Sequence, residues 1–304
     1  MILGQVSWLD CFVFLIFLAP QLILRVGFFP TLFCGLQALP FLLLKLPLSF
    51  IYERFFLARH HQTPFVQKAS WFEDIVIRCV RYAFANIPAS IGRVFFSKPV
   101  ALPFLRFRML RHGYIRSPIH WHEVKEQNFT GLWITANPTI KPDLIIYYVH
   151  GGGFSMGSSY FYLEFLITLL TLLSTSTSFT NPAILSLEYT LVPDATYPTQ
   201  LHEALAGYAH AVRVMRGDAS RVCVAGDSAG GTIVLSMLLR LGEIAKNGDG
   251  NANGDGAFNA KAENEIEISG AGVRNWRPGM AVLISPWITL HLDPTTQTPH
   301  TAPT

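Results

Sequence analysis

The pattern of apolar and polar positions divides the chain into an apolar N-terminal stretch and a longer region of short strands and helices. Between positions 11 and 57 the only charged residues are Arg25, Lys45, Glu53 and Arg54. A membrane-spanning helix needs about 20 apolar residues, and the windows 11–24 and 26–44 approach this length, although Pro20 interrupts the first. We therefore predict that residues 1–57 form a membrane anchor. A hydrophobic hairpin lying in one leaflet is the alternative.

No basic stretch precedes the apolar run and no small-residue cleavage site ends it, which favours a retained segment over a cleaved signal peptide. Between Asp74 and Glu123 every charged residue is basic. These residues are Arg78, Arg81, Arg93, Lys98, Arg106, Arg108, Arg111 and Arg116. Basic residues mixed with apolar ones next to a membrane anchor are typical of a segment on an anionic lipid surface. We predict that residues 58–120 form a basic, amphipathic, membrane-proximal or cap region; a solvated helix face is the alternative.

From Trp121 onward the pattern alternates between short apolar strands and helices, as in an α/β fold. The predicted strands are "DLIIYYV", "AILSLEYTL", "RVCVAGD" and "MAVLISPWITL". The predicted helices are "FYLEFLITLLTLL", "YPTQLHEALAGYAHAVRVM" and "AGGTIVLSMLLRLGEIA". We predict a mostly parallel sheet flanked by helices over residues 121–290, with a flexible insertion at 246–272.

Composition narrows the possible chemistry. Half of the 304 residues are apolar, which is high for a soluble protein, and the formal net charge is only +3, so nucleic acid is not an expected partner. The four cysteines have no paired spacing, and the N-G-D-G repeats of the insertion lack the ligand spacing of a calcium loop. We therefore predict no metal and no cofactor.

The stretch "GDSAG" carries the main chemical signal. It matches the G-x-S-x-G pattern of a nucleophile elbow, in which a serine lies on a tight turn between a strand and a helix. The turn strains the serine backbone, so that Gly226 and Gly230 must be small. Ser228 is the candidate nucleophile, and the next backbone N–H lies at a helix N-terminus, where it can stabilise an oxyanion.

The stretch "HGGG", from His150 to Gly153, follows a predicted strand and supplies a second group of backbone donors. Glycines allow backbone N–H groups to approach a bound carbonyl because no Cβ stands in the way. Two such motifs in this order point to acyl transfer. An ordinary glycine turn at each of them is the alternative.

Together with "EYTLVPDATYPTQLHEA" and "LISPW", these motifs resemble the hormone-sensitive-lipase branch of the α/β-hydrolase fold. With an N-terminal anchor the chain is also similar to the fungal steryl-acetate deacetylases. The resemblance implies that Ser228 is the nucleophile and that Gly152, Gly153 and Ala229 donate the oxyanion-hole N–H groups. It also implies that His150 and Gly151 shape the loop and that Asp227 is structural, like Gly226 and Gly230.

The resemblance further implies a triad acid and base beyond the "SPW" strand. The residues available there are His291, Asp293 and His300, within a proline- and threonine-rich stretch at 291–304 that we predict to be disordered. The order acid then base is met by Asp293 and His300, but no strand or helix is predicted to position them. We therefore expect the activating base to be missing from these 304 residues, as in a truncated product.

The leading functional hypothesis is a membrane-associated carboxylic-ester hydrolase that works through an acyl-enzyme. Its expected partners are a small lipophilic ester, such as an acetylated sterol or a short-chain ester, and membrane lipids. The endoplasmic reticulum membrane is the candidate location. The alternative is an inactive fragment or a non-catalytic, membrane-attached binding protein.

Overall fold

A computed structural model of the chain describes residues 1–176, 178–250 and 276–287. The chain divides into two compact units. The first contains Met1–Pro118 and Ser155–Thr168, and the second contains Ile119–Phe154 and Leu169–Thr304. The predicted insertion from position 251 to 272 and the predicted tail at 291–304 lie outside the described residues.

The first unit is helical where it is described. Its helices are α1 (Trp8–Arg25), α2 (Phe28–Pro40), α3 (Leu46–Ile51), α4 (Pro64–Lys68), α5 (Trp71–Asn86), α6 (Ala89–Phe95) and α7 (Lys98–Arg111). The π-helical turn Phe41–Lys45 joins α2 to α3, and a second one, Tyr52–Phe56, follows α3, so that one helical run ends at Phe56. Capping boxes begin two of the helices: Ser7 pairs with Asp10 at α1, and Ser70 pairs with Glu73 at α5.

Four helices of the described chain are long and apolar enough to cross a membrane, judged by length and composition alone. They are Trp8–Arg25, Phe28–Phe56, Ser159–Ser176 and Ser228–Ala245. Only 11% and 6% of the first two are buried, against 33% and 39% of the last two. The first two therefore offer the larger apolar surface to a lipid environment, and Pro20 lies inside α1 without ending it.

Ion pairs of buried or largely buried arginines connect the helices of the first unit. Arg108 on α7 contacts the Asp10 carboxylate at 3.0 Å and the Glu164 carboxylate at 2.7 Å. Arg78 on α5 contacts Glu53 and Asp74 at 2.8 and 2.7 Å. The guanidinium groups of Arg108 and Arg78 are therefore turned inward onto carboxylates, and the lipid-surface role of residues 58–120 stays a prediction that concerns the other basic residues.

The second unit contains a six-stranded sheet. Its strands are β1 (His120–Lys125), β2 (Thr130–Thr135), β3 (Ile145–Val149), β4 (Ala183–Leu187), β5 (Val222–Asp227) and β6 (Met280–Ile284), in the order β1-β2-β4-β3-β5-β6. The strands β4, β3, β5 and β6 run parallel, whereas β2 is antiparallel to β1 and to β4. Strands β3 and β4 are buried throughout, as expected for parallel strands covered on both faces.

Helices connect the parallel strands. They are α8 (Ser159–Ser176), α9 (Thr199–Val214) and α10 (Ser228–Gly250). Ala204, Tyr208 and Ala211 on α9 share one buried cluster with Tyr147 and Val224 of the sheet. The predicted α/β class, with its parallel sheet and flanking helices, is confirmed for this unit.

Two details differ from the sequence-based predictions. The sequence pattern does not predict the hairpin of β1 and β2, because β1 carries charged and polar residues at most positions and is mostly exposed. The insertion predicted from position 246 is wrong at its start, since α10 continues to Gly250. Extending an existing helix fixes one residue for each hydrogen bond gained, which costs far less than starting a new helix.

Candidate active site

The candidate site residues lie at the carboxyl ends of two neighbouring parallel strands. Val149, the last residue of β3, is paired with Gly226 on β5. The chain then continues into the glycine loop His150–Gly153 after β3, and into Asp227 and Ser228 after β5. Ligands of open α/β sheets bind beyond the carboxyl ends of the strands, so this edge is the expected place for a site.

Ser228 has the backbone of a nucleophile elbow. Its φ is +49°, in the left-handed region, and it is both the residue after β5 and the first residue of α10. A non-glycine residue rarely adopts this conformation, so surrounding structure must hold it there. The side chain is half-buried.

The glycines beside Ser228 are required by close backbone contacts. A Cβ on Gly226 would lie 2.8 Å from the carbonyl carbon of Gly230. A Cβ on Gly230 would collide with the backbone oxygens of Val149 and His150 and would lie 2.7 Å from the carbonyl carbon of His150. The start of α10 is therefore packed directly against the end of β3, with no room for a side chain.

Asp227 connects the elbow to the glycine loop. Its Oδ1 accepts hydrogen bonds from the Tyr148 hydroxyl at 2.8 Å and from the Gly151 backbone N–H at 2.9 Å. A Cβ on Gly151 would collide with the same carboxylate. This carboxylate therefore fixes the distance between the two motifs. The sequence motifs alone do not show this contact.

The glycine loop turns through three consecutive residues with positive φ. These values are +123° at Gly152, +60° at Gly153 and +61° at Phe154. Glycine adopts such angles at little cost, and Phe154 is held by the Val192 N–H, which donates to its carbonyl at 2.9 Å. Ala229 is fully buried in the first turn of α10, where backbone N–H groups have no partner within the helix.

His150 is packed inside the loop. Its ring is fully buried, stacks on Tyr189 with centroids 4.4 Å apart, and places Nδ1 2.8 Å from the Gly151 carbonyl oxygen. Glu203 holds the segment after Tyr189, because its carboxylate accepts from the Thr190 N–H at 2.7 Å. Glu203 therefore supports the site. The sequence indicates this residue only as part of the stretch "EYTLVPDATYPTQLHEA", which resembles the family.

The segment after β6 is fastened to the elbow helix. The Trp287 N–H donates to the Ser228 carbonyl at 3.3 Å, and the Thr232 hydroxyl donates to the Trp287 carbonyl at 2.6 Å. A cavity of about 620 Å³ opens beside this contact. Its lining is Phe154, Tyr197, Leu201, Thr232, Ile233, Ser236, Leu239, Arg240, Glu243 and Trp287.

Other reactive groups can be compared with Ser228. Burial raises the pKa of the Cys223 thiol on β5, so this thiol stays protonated and is a poor nucleophile. No cluster of His, Cys, Asp and Glu that could hold a metal occurs within the residues that the structure describes. The candidate triad residues His291, Asp293 and His300 lie outside those residues.

We predict that Tyr148→Phe lowers the free energy of unfolding by about 1.5–3 kcal/mol, because a hydrogen bond to a carboxylate is lost while Asp227 stays in place. The measurement is urea unfolding of the detergent-solubilised protein. Tyr197→Phe is the control, since Tyr197 is 67% exposed. An equal loss in both variants would contradict a special role for the Asp227 contact.

The known proteins that resemble this chain are hydrolases of one fold. A family model described as the α/β-hydrolase fold matches residues 146–303. The Schizosaccharomyces pombe protein mug81, named as a candidate steryl acetyl hydrolase, is 31% identical over 161 residues, which are 51% of this chain and 41% of mug81. Human hormone-sensitive lipase is 30% identical over 112 residues, which cover 36% of this chain and 10% of the lipase.

Solved structures include an esterase from the bacterial hormone-sensitive-lipase family, with 25% identity and a TM-score of 0.44 over 58% of this chain and 54% of that one. The chain thus matches about two fifths of the length of mug81 and a smaller share of the mammalian lipase.

Proposed function

Because the chain belongs to the α/β-hydrolase fold family, we propose that it is a membrane-associated carboxylic-ester hydrolase with Ser228 as nucleophile. The observation that carries this proposal is the conformation of Ser228. A serine with φ of +49° stands between a buried strand and a helix, and the helix start is packed against the glycine loop. A serine in this conformation strains the backbone, and an ordinary turn avoids that strain by having glycine at the position.

In the proposed reaction Ser228 Oγ attacks the ester carbonyl carbon, and a general base takes the hydroxyl proton. The carbonyl oxygen becomes an oxyanion, which the backbone N–H groups of Gly152, Gly153 and Ala229 stabilise. Collapse of the tetrahedral intermediate expels the alcohol and leaves an acyl-enzyme, which water hydrolyses. Asp227 positions the glycine loop through Gly151 and does not take part in proton transfer.

The proposed substrate is a lipophilic ester, such as an acetylated sterol or a short-chain ester. Phe154, Leu201, Ile233, Leu239 and Trp287 give the cavity beside α10 an apolar lining that suits such a molecule. The name of mug81 points to the same substrate class. The test is the mass of the protein after treatment with a fluorophosphonate ester, in the wild type and in Ser228→Ala.

A non-catalytic, membrane-attached binding protein is the second candidate. It is favoured by one observation: the cavity beside α10 has an apolar lining that suits a lipophilic ligand whether or not turnover follows. Such a protein would use the cavity and the glycine loop to bind an ester without turnover. It would bind a radiolabelled sterol acetate and fail to react with the fluorophosphonate.

We predict that residues 1–57 hold the protein in membranes, with the endoplasmic reticulum as the proposed location. Alkaline carbonate weakens electrostatic contacts with the membrane but does not release apolar segments buried in it. The full chain should therefore stay in the pellet after extraction. A peripheral membrane protein, which carbonate releases, is the comparison. Release of the full chain into the soluble fraction would rule out deep insertion.

A further inference from the structure

A cavity in the first unit combines two arginines with apolar walls. It has a volume of about 600 Å³ and is lined by Arg25, Val26, Pro30, Ser90, Arg93 and Val94. These residues come from the end of α1, the start of α2 and helix α6. Val94 belongs to a buried apolar cluster with Leu18, Leu22, Ile91 and Val100, so this part of the wall is packed against the interior of the first unit.

The charge of this cavity favours an anion. None of the described residues that line it is acidic, and Ser90 adds a hydroxyl group. Arg93 is held in place because its Nε donates to the Ser155 carbonyl at 2.9 Å. Arg25 lies in the last turn of α1, and no described carboxylate forms an ion pair with it. Guanidinium groups present several N–H donors in one plane, which matches the oxygens of a phosphate.

Large, exposed apolar side chains lie next to the lining residues in the chain. Leu24, Phe28 and Phe29, which are next to Arg25 and Pro30 in the chain, are 77%, 55% and 79% exposed. An inorganic anion would leave these side chains in water. A molecule with a phosphate at one end and hydrocarbon at the other would satisfy both the arginines and the apolar surface.

We propose that this cavity binds the phosphate-containing head group of an anionic phospholipid, whose acyl chains lie along Leu24, Phe28 and Phe29. The site is separate from the proposed ester-hydrolase site. It depends on the proposed membrane attachment only for access to lipid, so binding is tested in detergent solution and the carbonate extraction remains an independent measurement.

The test is native mass spectrometry of the full chain in a neutral detergent, titrated with phosphatidylserine or with phosphatidylcholine. We expect one phosphatidylserine to bind the wild type about tenfold more tightly than phosphatidylcholine. Both head groups carry a phosphate, but choline would bring a cation next to the two arginines, whereas serine adds a carboxylate. Arg25→Gln should remove this preference, and Arg25→Lys should keep most of it. Arg106→Gln, which changes an exposed arginine on α7, is the control and should behave as the wild type.

Three results would overturn the proposal. The first is equal binding of the two lipids by the wild type. The second is an equal loss of preference in Arg25→Gln and Arg106→Gln, which would indicate general charge attraction. The third is displacement of the lipid by millimolar inorganic phosphate, which would make the cavity a site for the free anion.

Discussion

Replacing Gly230 with alanine is expected to destabilise the second unit by more than about 3 kcal/mol, enough to unfold a protein of ordinary stability. The added Cβ would collide with the backbone oxygens of Val149 and His150. Neither oxygen can move easily, because Val149 is in the sheet, paired with Leu187 on one side and Gly226 on the other. The measurement is thermal unfolding of the solubilised protein by circular dichroism.

Gly242→Ala is the matched control for this variant. Gly242 lies on the same helix, and a Cβ there would have no heavy atom within 4 Å. Alanine in an open helical position stabilises by about 0.5–1 kcal/mol relative to glycine, so this variant should melt at or above the wild-type temperature. If Gly230→Ala melts at the same temperature as Gly242→Ala, the backbone around Val149 and His150 has room for a Cβ and the prediction is wrong.

The strands and helices around the site could be predicted because their signals are local. An apolar run followed by small residues marks β3 and β5, and the helical spacing of apolar residues marks α9. The hairpin of β1 and β2 has a weak local signal, since its stability comes from pairing with β4. Which strands lie side by side in the sheet depends on side-chain packing and burial, and the local pattern of residues does not show these.

Long-range polar contacts were beyond the sequence pattern for a similar reason. Arg108 and Asp10 form a buried ion pair across 98 positions of the chain, and Tyr148 and Asp227 form a hydrogen bond across 79. A single sequence shows that these residues are charged or polar and does not show which of them meet. The apolar pattern suggested an independent anchor, whereas α1 is connected to α7 by Asp10 and Arg108 and by the ring contact of Phe14 with Phe104.

Treatment with a fluorophosphonate ester is expected to add one phosphonyl group to Ser228 in the wild type and none to Ser228→Ala. In this reaction Ser228 Oγ forms a bond to phosphorus, fluoride leaves with the electron pair of the broken P–F bond, and a base takes the hydroxyl proton. Because alanine has no hydroxyl group, Ser228→Ala should carry no phosphonyl adduct at any time at which the wild type carries one. Ser174→Ala, on α8 and outside the cavity lining, is the matched control and should label normally.

The rate of the same reaction shows whether a base within the chain activates Ser228. Because no strand or helix is predicted to position His291, Asp293 or His300, we expect labelling to be slow in buffer and to increase when imidazole is added as an external base. A positioned base contributes about 10²–10⁴-fold, and imidazole should recover the lower part of that range. If labelling is already fast without imidazole, and His300→Ala or Asp293→Ala abolishes it, then those residues complete the triad and the prediction of a disordered tail is wrong. If no labelling occurs under either condition, Ser228 is not a nucleophile in this chain, and the binding function is the one that the glycine loop and the cavity serve.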